Sequence, residues 1–208
     1  MRVWTHLASW LVKSGEVAQM EVGDTFPGVA VRAACWSVVD ATGPDAMELA
    51  ARPDPTGEPS LHYAITGEVA WCREPASMLL RSGGLAFVAE PRESTEERGD
   101  TASPERPPDG FRLPAVGTRV TVLATLEVMG AYETEAFDYP DVRRDWLVCG
   151  LKVEHRELVT SSAFPDTREP GRIVRIDDIP QMLRWADASG RDHATYLLDL
   201  EPTGVTTG

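Results

Sequence analysis

Residues Gly117–Val159 limit the fold more than any other part of the chain. They read GTRVTVLATLEVMG, then AYETEAFDYPDVRRD, then WLVCGLKVEHRELV. In the first run Val120, Val122, Ala124, Leu126 and Val128 fall on alternate positions, with Arg119, Thr121, Leu123, Thr125 and Glu127 between them. A period of two with mostly polar partners marks a half-buried strand, because successive side chains point to opposite faces. Val and Thr suit that pleated backbone. Gly130 ends the run. The second run alternates Leu147, Cys149, Leu151 and Val153 against Trp146, Val148, Gly150, Lys152 and Glu154. Its start is apolar on both faces, which predicts cover on both sides. The connection is longer than a tight hairpin turn and carries Pro140 with Asp138, Asp141 and Asp145. Loops of that length are more often functional or mobile than short turns.

The same two-residue period recurs on either side. Gly28–Val39, Leu61–Cys72, Leu85–Ala89, Arg172–Ile176 and His193–Glu201 read as strands, with a short one at Ala46–Ala51. Helical patterning is sparse. Trp4, Leu7, Trp10 and Leu11 fit a short helix ending at Ser14-Gly15, with a strand over residues 1–5 as the competing reading; Trp4 and Trp10 are expected in the core. ASMLLRSGG, from Ala76, fits a helix stopped at Gly83 or Gly84. Residues 179–188 read as a late helix with acidic residues and Pro180 at its start and Gly190 past its end.

Glu90–Gly110 has no aromatic and no β-branched aliphatic residue and is rich in Glu, Arg, Ser, Pro and Gly. That is the composition of a flexible linker or of a long surface insertion. The expected organisation is a β-rich domain over residues 1–89, an acidic linker or loop over 90–112, and a second β-rich domain over 113–208. The fold class is therefore α+β and mainly β: two small barrel- or sandwich-like antiparallel sheets with two or three short helices. The halves also share an order of Val-Gly turn, strand, polar loop and strand. Gly67 and Gly150 lie 83 residues apart, as do Arg73 and Arg156. An internal duplication produces this spacing, and so does coincidence between common β patterns.

The chain has 208 residues and a formal charge of -13, from 33 acidic and 20 basic residues. Acidity of this size argues against binding a nucleic-acid backbone or an anionic membrane surface, both of which need a basic face. It is ordinarily a device for solubility, with a basic partner as the less common use. The opening MRVWTHLASWLVKSG has too short an apolar run for a secretory leader, and no run is long enough for a transmembrane helix. Three cysteines without CxxC spacing do not make a disulfide framework, so a cytoplasmic address is expected.

Chemistry-bearing motifs are few. The four histidines and three cysteines show none of the close pairings of structural zinc sites, and no metal or cofactor is expected. Neither GxGxxG, a Walker pattern nor a GxSxG elbow occurs. Cys35 and Cys149 sit on alternating strand faces and read as small hydrophobes, whereas Cys72 lies beside Arg73, whose charge favours a thiolate. Asp177-Asp178 suit a helix start. The most suggestive group is in the central connection: Tyr132, Phe137, Asp138, Tyr139, Asp141 and Trp146 place aromatics beside carboxylates, as at the rim of a ligand or peptide site. The same aromatics also suit a clamp that holds the loop down.

The basic residues are Arg except Lys13 and Lys152, and Ala, Gly, Pro and Val are abundant, a bias that GC-rich codons produce. The opening VW…SW with its Val22-Gly23-Asp24 turn, and Trp185 leading into YLLDLE, resemble a family of small uncharacterised proteins from high-GC Gram-positive bacteria. The resemblance covers the chain ends and implies a bacterial cytosolic protein. The family has no established activity, so no site residue is carried over. The preferred function is a soluble, non-catalytic binding or protein-interaction module using the Tyr132–Asp145 loop, with an unknown protein or small-molecule partner. The alternatives are a small enzyme acting through carboxylates or Cys72, and an acidic decoy or immunity-type protein for a basic partner.

Overall fold

The computed structural model describes residues 1–50, 61–74, 76–92, 112–136, 139–160, 166, 168–182 and 192–203. In chain order the elements begin with β1 (Val3–Ala8), α1 (Ser9–Ser14), β2 (Thr25–Val29), β3 (Val31–Asp40), β4 (Ala46–Ala50), β5 (His62–Arg73) and β6 (Ser77–Ser82). They continue with β7 (Leu85–Pro91), β8 (Arg119–Val128), α2 (Ala131–Ala136), β9 (Arg144–Thr160), β10 (Arg168–Asp178) and β11 (Asp192–Pro202). The fold is mainly β, as the period-two patterning predicts.

Two compact units share the chain. One holds residues 1–29, 128–137 and 143–208; the other holds 30–127 and 138–142. This division differs from the expected sequential one. Residues 62–68 of β5 pair antiparallel with 119–125 of β8, so segments assigned to successive domains lie in one sheet. Most of the expected linker, residues 93–111, lies outside the described residues.

The unit formed by residues 30–127 and 138–142 is a closed five-stranded barrel, β3-β7-β6-β5-β8 and back to β3, with β4 added on the outside of β5. Alternation decides which side chains fill it. Val120, Val122, Ala124 and Leu126 of β8 are all fully buried, as are Ile65 of β5 and Phe87 of β7. Ala33 lies opposite Ala89 in the parallel β3–β7 pair, and both are fully buried in the barrel interior. Gly67 lies where β5 passes hard against β6: a Cβ there would sit 2.1 Å from the backbone oxygen of Arg81. The buried Ser82 hydroxyl donates to the Thr66 carbonyl at 2.7 Å in the same region.

The helix expected from Ala76 is instead strand β6. Leu79 is buried like Met78 and Leu80, so the apolar run carries no visible two-residue period. Gly83 and Gly84, at φ 55° and 80°, form the two-residue turn of a β6–β7 hairpin in which Ser82 pairs with Leu85. Two successive positive φ values suit glycine, whether the chain is leaving a helix or turning a hairpin.

The other unit is an antiparallel sheet in the order β10-β9-β11-β1, with β2 also paired to the start of β9. Val3 opposite Leu200, Thr5 opposite Leu198 and Leu7 opposite Tyr196 make its apolar face, and all six are buried. Burying each of the large apolar side chains contributes about 1.5–3 kcal/mol. Both readings of the N-terminus hold in part, for a strand over 3–8 runs straight into a helix over 9–14. Gly15, at φ 84°, closes α1 by donating its N–H to the Val12 carbonyl. Ser9, Leu11 and Val12 are the buried residues of this short helix, and Trp10 is 51% exposed rather than in the core. Trp4 is half-buried.

The late helix is corrected at its start. Residues 179–182 are not helical: Gln181 bridges to Glu21, and the Met182 N–H donates to the Met20 carbonyl at 2.8 Å. Residues 183–191 lie outside the described set. The short helix α2 has no counterpart in the sequence pattern. Glu133 accepts from the Gly130 N–H at 2.9 Å and so satisfies a donor at its start. α1 and α2 are the only helices among the described residues. The glycines matched by the 83-residue spacing have different settings: Gly67 abuts backbone, whereas Gly150 lies beside the Trp4 ring and Asp199.

Candidate functional site

The outward residues of the barrel strands carry its chemistry. Alternation turns Arg32 and Trp36 of β3 away from the interior, with Ala34 between them opposite Glu90 of β7. Glu127 of β8, Trp71 of β5 and Ser77 of β6 are likewise half-buried. Tyr139, from the segment preceding β9, joins them. Its phenol donates to Glu90 Oε1, and the Ser77 hydroxyl donates to the same oxygen at 2.7 Å. Arg32 reaches Glu90 Oε2 at 3.8 Å and Glu127 Oε2 at 2.6 Å. The Tyr139 ring meets Trp71 edge-on, centroids 6.4 Å apart and planes at 84°. Burial, and then the Glu90 carboxylate beside it, push the Tyr139 phenol well above its ordinary pKa, so the ring stays neutral and its O–H remains a donor.

The strip continues past the end of β7. The Arg92 guanidinium stacks 4.2 Å over the Trp36 ring, and Trp36 in turn meets the buried His62 edge-on at 5.3 Å. The Arg92 N–H donates to the Cys35 carbonyl at 2.8 Å, which holds this turn of chain against β3. Three aromatics, two arginines and two carboxylates thus occupy one outer face, joined by ion pairs, hydrogen bonds and ring contacts.

Of the residues singled out in the central connection, Tyr139 is part of this network and the exposed Asp141 lies two residues on. Trp146 belongs to the other unit. It is 2% exposed, faces Phe26 across β2–β9, and donates its indole N–H to the Val29 carbonyl at 3.2 Å. Tyr132 lies on α2, also in that unit. Phe137 and Asp138 lie outside the described residues. Arg32, Trp36, Trp71, Ser77, Glu90, Arg92 and Glu127 escaped sequence reasoning. The outward face of residues 30–36 is visible in its alternation, but the parallel register that brings β7 beside it is not.

The thiols do not favour nucleophilic chemistry. Burial pushes Cys35 up to about 12. Cys72 donates its S–H to the Pro114 carbonyl, and burial raises its pKa instead of the lowering expected from Arg73. Burial raises Cys149 as well. The acidic residues expected at a helix start are in ion pairs: Asp177 with Arg175 at 2.6 Å and Asp178 with Lys152 at 3.2 Å. Among the described residues no three of His, Cys, Asp and Glu stand close enough to hold a metal ion, and no helix is long and apolar enough to cross a membrane. No protein-family model, curated protein or solved structure matches this chain.

Proposed function

We propose that this chain is a soluble, non-catalytic bacterial binding module that takes a protein partner on the outer face of the barrel around Tyr139. One observation supports the reading above others: Trp36, Trp71, Tyr139, Arg32 and Arg92 gather at half-exposed positions, each held by a defined contact. Tyr, Trp and Arg are the residues that dominate binding energy at protein interfaces. Side chains already fixed lose less entropy on binding. The raised thiols weigh against the cysteine enzyme. Interleaved pairs such as Arg119–Asp45, Arg156–Glu154 and Arg32–Glu127 weigh against one continuous acidic face, which a decoy for a basic partner needs.

The test is affinity capture from the native cell by the tagged chain and by its Arg92→Glu variant. Arg92 lies half-exposed just past the end of β7, so the variant keeps a melting temperature close to that of the wild type. The expected outcome is a partner held by the wild type and reduced about tenfold or more in the variant, because an interfacial cation has become an anion. Equal recovery by both proteins would count against this face.

A further inference from the structure

β10 is an edge strand: among the described residues its one ladder partner is β9. An edge strand of this kind is open to the addition of a further strand along its outer side. It also carries exposed apolar surface, since Val174 is 52% and Ile176 43% exposed, both β-branched residues suited to a sheet. The register with β9 sets the faces. Arg175 lies opposite His155 and Asp177 opposite Val153, so these two charged residues share one face, while Ile176, opposite Glu154, lies on the other. The ladder is irregular between Pro170 and Arg175 and regular over Arg175–Asp178.

We infer that a second copy of this chain adds to the β10 edge, antiparallel, about a two-fold axis through Ile176. The triplet Arg175-Ile176-Asp177 is self-complementary in that arrangement alone. Each Arg175 then faces Asp177 of the other copy, giving two symmetric ion pairs on one face, and the two Ile176 side chains meet on the opposite face. Within a single chain Arg175 Nε already lies 2.6 Å from Asp177 Oδ2, so both groups are held on the same face before association. Parallel addition brings no such match, because it sets neither charge opposite its complement. The regular stretch is short, so the dimer is weak, with a dissociation constant in about the micromolar range. This surface belongs to the four-stranded sheet and does not depend on the barrel site.

Sedimentation velocity of the full chain from about 5 to about 500 µM spans that range. The wild type is expected to shift from monomer to dimer with concentration. Ile176→Lys puts two cations on the axis and is expected to remain monomeric. Arg175→Asp turns two attractive pairs into two repulsive ones and weakens association about tenfold or more. The double exchange Arg175→Asp with Asp177→Arg rebuilds both pairs and restores the dimer, which a loss of folding could not do. A wild type that stays monomeric at the highest concentration overturns the inference. So does a dimer that survives Ile176→Lys, or a folded double exchange that fails to associate.

Discussion

Trp146→Ala lowers the unfolding free energy by about 3–5 kcal/mol, the usual cost of emptying a large buried aromatic site. The side chain is 2% exposed, packed beside Phe26, and its indole N–H closes a bond to the Val29 carbonyl. Removing it opens a cavity between β2 and β9 and takes the donor from that carbonyl. Trp146→Phe fills most of the space but still lacks the donor, so a smaller loss of about 1–2 kcal/mol is expected. Trp10→Ala, at a 51% exposed position, stays within about 0.5 kcal/mol of the wild type. Urea denaturation followed by tryptophan fluorescence and circular dichroism checks all three. A Trp146→Ala midpoint equal to that of the wild type would remove Trp146 from the core and return it to the binding candidates.

The second large effect is at Gly67. An alanine Cβ there would lie 2.1 Å from the Arg81 carbonyl oxygen and 2.9 Å from its carbon. Both are backbone atoms in a paired strand, so no rotamer change relieves the clash. β5 and β6 must separate at this point, at a cost of about 3 kcal/mol or more. Gly43→Ala is the control, because nothing lies within 4 Å of its added carbon. Gly67→Ala is expected to melt well below the wild type and Gly43→Ala close to it. Equal melting temperatures would mean that β5 and β6 do not approach this closely.

Much of the sheet was legible because alternation is written locally. Val120, Val122, Ala124, Leu126 and Val128 mark the inner face by alternation, and all five are buried. The failures occurred where local pattern is silent. Met78–Leu80 shows an unbroken apolar run because cover on the outer side buries Leu79 as well. α2 is six residues long, too short to display a helical period. The division of the chain could not be read from residues 90–112, since β8 returns across them to close a barrel begun at Val31.

The candidate site follows the same rule. Tyr139 stood out as an aromatic among carboxylates within its own segment. Its acceptor Glu90 lies 49 positions away, and only the β3–β7 pairing sets that carboxylate beside Arg32. Trp146 looked like a companion of Tyr139 because the two are close in sequence, yet they belong to different units. Proximity in sequence does not show which aromatic residues share a face.

Hydrogen exchange of the chain, alone and saturated with whatever partner the tagged chain captures, is the direct test of the proposed barrel face. Slower exchange is expected at backbone amides of residues 32–36, 71–74, 76–77, 86–90 and 92 and around Tyr139, with the amides of β9 and β11 unchanged. Protection confined to 144–160 and 192–202, with the barrel strands unaffected, would contradict it.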